Sequence, residues 1–198
     1  MSLDSSPASL RGSLLAGLPS EAREAIERLV LSASPAHIYA VGGAVRDLLL
    51  NRSIVDLDLA IEADAIEAVR AAFPAARSTA HNRFRTASLT LSGVWIDVAT
   101  ARRETYTRPG ALPKVERADI ETDLRRRDFT VNAIALRLDG NAALIDPCSG
   151  GDDLRSRRIR VLHDASFRDD ATRIFRAFRY AARLGFTIDP HTNALIDD

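Results

Sequence analysis

The sequence predicts an α/β (α+β) fold that runs into a helical segment, and three stretches predict it. Residues 53–61 alternate acidic and apolar positions as a strand does, residues 37–50 read as strand, glycine turn and helix, and residues 166–184 place apolar side chains at helical spacing. With 198 residues, 46% of them hydrophobic, the chain can bury a real core as one domain, or one domain and part of a second.

The elements follow in order. The first twenty residues, rich in Ser, Ala, Gly and Leu, read as a loose extension ending at Pro19-Ser20, which could cap a helix over 21–31. Ala22, Ala25, Ile26 and Leu29 give that helix its apolar face. A short buried strand over 37–41, a Gly42-Gly43 turn and a helix over 44–50 come next. The strand 53–61 is followed by an amphipathic helix over 64–73 and by strands over 75–80, 84–91 and 94–100, with Ser92-Gly93 turning between the last two. From 103 to 118 periodicity vanishes and Pro109, Gly110 and Pro113 appear, so an exposed, mobile loop is expected. Helical patterning returns over 119–135, and 136–138 and 142–145 flank Asp139-Gly140-Asn141 as a small hairpin. After Pro147 a short helix near Asp152, a strand over 159–162 and one long helix over 166–184 are expected, and the sequence stops at Asp198 inside what could be another helix.

Composition excludes little. Net charge is zero, which removes whole-chain basicity as a sign of nucleic acid without excluding an RNA partner. Lys114 is the only lysine, and genomic GC bias accounts for the excess of arginine. The lone Cys148 rules out an internal disulfide and fits a reducing compartment. No apolar run approaches the ~20 residues of a membrane span, and residues 1–20 lack the pattern of a signal peptide, so no membrane and a cytoplasmic location are expected.

The chemistry concentrates in Val55-Asp56-Leu57-Asp58-Leu59. In a strand Asp56 and Asp58 leave the same face, and crowding two carboxylates is costly unless a cation neutralises them. Oxygen-only ligation with open positions suits Mg²⁺ bridging substrate phosphates, which makes a metal-dependent phosphoryl or nucleotidyl transfer site. The plain alternative is an acidic, solvated edge strand, but the flanking sequence reads as central. Asp97 in Trp95-Ile96-Asp97-Val98 is a third carboxylate that a neighbouring strand could deliver, or an ordinary strand-end aspartate. Gly42-Gly43 between strand and helix lets backbone approach a phosphate, with Arg46 adding positive field; alone it is only a tight turn. In Arg125-Arg126-Arg127-Asp128, the simplest reading is a solvated helix face, but the apolar stretch that follows should turn at least one arginine inward. At about 100° per residue, Arg173, Arg176, Arg179 and Arg183 share one sector and Ile174, Phe175, Phe178, Ala181 and Ala182 the other, which predicts a core-facing apolar side and a charged outer side. Asp169-Asp170, one turn before Arg173, adds a carboxylate that with a guanidinium could read the edge of a base.

Taken together, Gly-Gly-Ala-Val-Arg-Asp at 42–47, Asp-Leu-Asp at 56–58, Ile-Asp-Val-Ala-Thr-Ala-Arg at 96–102, Arg-Arg-Asp-Phe-Thr-Val-Asn-Ala at 126–133, Asp-Pro at 146–147 and the arginine-rich 169–186 resemble the class II tRNA nucleotidyltransferase and bacterial poly(A) polymerase family. The resemblance covers about 38–186. It implies a polymerase-β-like nucleotidyltransferase head with a mixed sheet over 34–150, preceded by an extension and helix over 1–33 and followed by the start of a helical neck over 151–198. It implies that Asp56 and Asp58 hold Mg²⁺ in a two-metal site with Asp97 as the third catalytic carboxylate. Gly42, Gly43, Arg46, Arg127 and Asp128 would hold the triphosphate and sugar. Asp170 and Arg173 would pair with the base, with Arg176 and Arg179 behind them. ATP and CTP are the implied substrates and the tRNA 3′ end the acceptor, extended by CMP, AMP or both; body and tail domains gripping the tRNA are expected beyond residue 198. Poly(A) polymerase is the alternative within the family, and a catalytically silent nucleotide- or RNA-binding module the alternative outside it. Two departures stand out: Asp169-Asp170 replaces the usual Glu-Asp, and Thr172 stands where leucine is common. The segment 103–118 occupies the place of the family's flexible loop, linked there to A addition.

Overall fold

The computed structural model describes residues 6–74, 79–81, 85–91, 93–105, 107–108 and 112–197. The chain begins with two helices, α1 (Pro7–Ala16) and α2 (Ser20–Ala33). The expected loose extension is therefore a helix: Ser6 accepts a hydrogen bond from the Ser9 N–H, Pro7 fills the first helical position, and Leu10 and Leu14 are buried. Ser20 does not cap α2; Pro19 holds the cap position, and the Ser20 hydroxyl donates to Glu21.

Next come β1 (Ile38–Val41), α3 (Gly43–Leu49), β2 (Asp56–Ile61), α4 (Ala65–Ala72), β3 (Thr79–His81), β4 (Thr86–Leu91) and β5 (Val94–Thr100). Asp64 caps α4 by accepting from the Ile66 and Glu67 N–H groups. The early part of the expected strand over 75–80, the start of the one over 84–91, and Ser92 of the turn lie outside the described residues.

Residues 103–118 correct the loop expectation. β6 (Arg102–Thr105) and β7 (Lys114–Arg117) pair antiparallel as a separate ribbon, with Arg103 opposite Glu116. Mostly charged and polar residues gave no apolar periodicity to read, yet Arg103 and Glu116 pair across the strands. Tyr106, Pro109, Gly110 and Ala111 lie outside the described residues.

The helix expected over 119–135 is α5 (Ile120–Arg125) alone, followed by a 3-10 turn at Thr130–Asn132. Asp128 ends it: its Oδ1 accepts from the Phe129 N–H at 2.9 Å and from Asn132 Nδ2 at 3.0 Å, a local alternative to helical bonding. β8 (Ala135–Arg137) and β9 (Leu144–Ile145) form the expected hairpin, with Gly140 at φ +49° in its turn. α6 (Gly150–Ser156) and β10 (Arg158–Ile159) follow, the strand expected over 159–162 continuing only as a bridge from Val161 to Phe129.

The single long helix over 166–184 is broken into α7 (Ser166–Asp169) and α8 (Thr172–Leu184). Asp170, extended at φ −147°, uses Oδ1 to accept from both the N–H and the hydroxyl of Thr172. Gly185 at φ +70° ends α8. β11 (Thr187–Ile188) pairs parallel with β10, and α9 (Pro190–Asp197) completes the chain. No helix among the described residues is long and apolar enough to cross a membrane.

The seven strands of the main sheet run β3-β4-β5-β2-β1-β8-β9, so β2 is central. β2 and β5 are parallel and every other pair is antiparallel, a mixed sheet. The period of two sorts its side chains. Leu57, Leu59 and Ile61 of β2, with Ile96 and Val98 of β5, join a core that α1, α2 and α4 cover and that continues to Phe167, Ala177 and Phe186. Tyr39, Val41, Ala60 and Ala135 on the other face meet Ile120 and Leu124 of α5 in a smaller cluster. Asp56 and Asp58 share that second face.

Candidate active site

The geometry of the site begins with strand register. β2 and β5 set Asp58 directly beside Asp97, and Asp56 beside Trp95. Asp56, Asp58 and Asp97 therefore leave the same face at the centre of the sheet. Burial is the largest influence on Asp58 and raises its pKa, Asp97 and Asp56 push the same way, and Arg127 opposes them. Asp97 accepts a short hydrogen bond, 2.5 Å, from Ser88 across the β4–β5 pair.

Above Asp58 stands the glycine turn. Gly42 has φ +63° and ψ −125°, a backbone open to glycine, and a Cβ there would lie 2.9 Å from Arg127 Nη1 and 3.6 Å from Asp58 Oδ2. The bare backbone thus lets a guanidinium and a carboxylate close on the turn. Arg127 is aimed by Asp123, which accepts from its Nη2 at 3.0 Å and also binds Arg126 through Oδ1. Asp123 is almost fully buried; burial raises its pKa, but Arg127 and Arg126 together hold it below its ordinary value.

The α8 side closes the site, and here the helical-wheel expectation holds only in part: Ile174 and Ala181 pack against the core and Arg179 and Arg183 are exposed, but Arg173 and Arg176 turn inward and two phenylalanines turn out. Arg173 is 6% exposed while Phe175 is 79% and Phe178 53% exposed. These two guanidiniums turn inward because fixed acceptors wait there: Arg173 donates to the Ser166 hydroxyl at 2.8 Å and to the Arg126 carbonyl at 3.1 Å, and Arg176 donates through Nε to Asp128 at 2.7 Å and through Nη2 to Asp128 and to Tyr180.

These elements enclose a cavity of about 370 Å³, in the range of small-ligand sites. Of the residues singled out from the sequence, Gly42, Gly43, Asp58, Arg127, Asp128, Asp170, Arg173 and Arg176 line it. Asp97 lies in an adjoining cavity that also shares Asp58 and Arg127. Arg46 lines neither: it is buried, bound bidentate to Asp47 and at 2.7 Å to Asn132 Oδ1, with its guanidinium over the Tyr180 ring. Arg179 is exposed, 5.7 Å from the same ring centroid, and outside the cavity. Sequence reasoning missed Asn132, Tyr180, Arg126 and Glu104, all in the cavity wall. Tyr180, one helical turn after Arg176, was the readable signal; Glu104 lay in a segment read as loop.

Among the described residues no three His, Cys, Asp or Glu side chains are drawn together as a complete metal cage. What the chain offers is a carboxylate pair, Asp58 and Asp97, facing open cavities, with the Asp58 pKa raised by burial first and by its carboxylate neighbours after that. A hard divalent cation that takes its remaining oxygens from a phosphate and water fits such a pair.

A family model described as the poly A polymerase head domain matches residues 38–160. The chain is 47% identical over 165 residues to an A-adding tRNA nucleotidyltransferase of Geobacter sulfurreducens, covering 80% of this chain and 19% of that protein. It is 43% identical over 163 residues to a CC-adding tRNA nucleotidyltransferase of Deinococcus radiodurans, covering 80% and 44%. Among solved structures, the CCA-adding enzyme of Thermotoga maritima complexed with tRNA matches with a TM-score of 0.76 at 37% identity, over 93% of this chain and 43% of that one. The chain thus spans less than half the length of these relatives. Its turn, carboxylates and arginines lie within or beside the matched segment, and the chain belongs to the poly(A) polymerase head-domain family, the family of the class II tRNA nucleotidyltransferases.

Proposed function

We propose that the chain carries the nucleotidyl-transfer centre of a tRNA nucleotidyltransferase, moving CMP, AMP or both from CTP or ATP to the tRNA 3′ end with Mg²⁺. The observation that supports it most is the register pairing of Asp58 with Asp97 beneath the Gly42 turn and Arg127. In this reading the terminal 3′-hydroxyl attacks the α-phosphate and pyrophosphate leaves. Gly42 and Gly43 receive the phosphates, Arg127 neutralises charge on them, and Asp58 and Asp97, with Asp56 beside them, hold Mg²⁺. Bound there, the metal would favour the alkoxide form of the hydroxyl and offset charge on the leaving group.

Arg46 then acts from behind, fixing Asn132 and Tyr180 in the cavity wall. Asp170 and Arg173 meet the base, each already oriented by a fixed hydrogen bond. Arg176 holds Asp128, and Arg179 stands outside this arrangement. Body and tail segments beyond this chain would grip the tRNA. A tRNA acceptor and a single cysteine fit a cytoplasmic setting.

The test supplies CTP and ATP, separately and together, with Mg²⁺ and tRNA ending in no added nucleotide, C, or CC. Growth stopping after at most three additions is expected, with transfer reduced at least about a thousandfold in the Asp56→Asn, Asp58→Asn double variant. Unlimited A tailing would assign the chain to poly(A) polymerases instead. Equal nucleotide binding and equal residual transfer in parent and variant would make it a silent binding module.

A further inference from the structure

Asp58 stands between two cavities. One opens at the Gly42 turn, on the β1 side. The other, about 460 Å³, lies over β5 and β4 and is lined by Asp97, Ser88 and Trp95 together with Arg102, Arg126 and Arg127. In-line displacement requires the attacking oxygen to stand opposite the leaving pyrophosphate. With the triphosphate at Gly42, the acceptor strand must arrive from the β5 side.

Trp95 is the aromatic surface of that second cavity. It is two residues before Asp97 and so on the same strand face, its partner on β2 is Asp56, and it is 48% exposed. A single exposed tryptophan is unremarkable on a protein surface; one that walls a cavity together with Asp58, Asp97 and Arg127 has a specific use.

We propose that Trp95 is the stacking platform for the 3′-terminal base of the acceptor RNA, a positioning residue that sets the terminal hydroxyl beside Asp58 and Asp97. This rests on the transfer reaction proposed above. The terminal base changes as nucleotides are added, and stacking tolerates any base because each has a π-face, whereas a hydrogen-bonding pocket would reject all but one.

Trp95 is the only tryptophan of the chain, so its intrinsic fluorescence reports this site alone. Titration with a short RNA ending in CC should quench it saturably, and the same RNA with an abasic 3′-terminal nucleotide should bind at least about fivefold more weakly. Equal responses to the two RNAs, or no response to either, overturn the proposal. In transfer assays Trp95→Ala should raise the KM for RNA roughly five- to a hundredfold with less than a twofold change in the KM for nucleotide, and Trp95→Phe should restore most of the loss. Unchanged RNA KM in Trp95→Ala, with transfer intact, overturns the platform and leaves the reaction standing. Base-dependent quenching in a chain that transfers nothing supports the platform and sinks the reaction instead.

Discussion

At the scale of single residues the site is held by side chains that block each other's alternatives. Gly42 cannot carry a Cβ without displacing Arg127, and its backbone region disfavours L side chains. Gly42→Ala should therefore destabilise the fold by about 1–3 kcal/mol in chemical denaturation and weaken nucleotide binding as well. Away from the cavity, Asp139 accepts from Arg137, the Ile38 N–H and His37. Burial pushes its pKa up, but these bonds outweigh it and hold the carboxyl down to about 2. A depressed folded value means the stabilisation is present above the ordinary value near 4 and disappears as pH falls toward 2. Asp139→Asn should melt below the parent at pH 6, with the difference closing by pH 2 in thermal scans.

Between elements, the β6–β7 ribbon is bound by charge to the sheet face that carries Asp58 and Asp97. Glu104 sits between Arg102 and Arg126, at 2.8 and 3.0 Å, and Arg126 also binds Asp123, which aims Arg127. Burial lowers the Arg102 pKa and Arg126 lowers it further, a sign that the two guanidiniums repel without the carboxylate between them. Glu104→Ala leaves them facing one another. The expected cost is about 2 kcal/mol, with amide exchange in 102–105 and 114–117 rising more than in the main sheet. Uniform protection across both sheets would show that the ribbon is held by something other than Glu104.

Across the whole molecule, one hydrophobic core joins α1, the sheet and α8, and the nucleotide-sized cavity is walled by both the sheet domain and the helical end. A ligand there binds only the assembled fold. Saturating CTP or ATP with Mg²⁺, at a hundred times Kd, should raise the single unfolding transition by about 5–10 °C. Arg176→Ala removes the partner of the buried Asp128, and should lower the ligand-free Tm and shrink that shift. Two separate transitions in differential scanning calorimetry would contradict the shared core.

The sequence by itself determined the central strand, the shared face of Asp56 and Asp58, and the glycine turn, because strand periodicity and glycine conformation are local properties. It also disclosed α2, α4 and the Asp139-Gly140-Asn141 hairpin. It misread α1, the β6–β7 ribbon and the breaks at Asp128 and Asp170, where side chains bond to backbone or to charges far along the chain. Only tertiary structure decided that Asp97 stands beside Asp58, a matter of register between strands separated by a helix and a hairpin. It alone turned Arg173 and Arg176 of α8 inward while Arg179 and Arg183 stay exposed, since Asp128, Ser166 and the Arg126 carbonyl supply acceptors that solvent would otherwise provide.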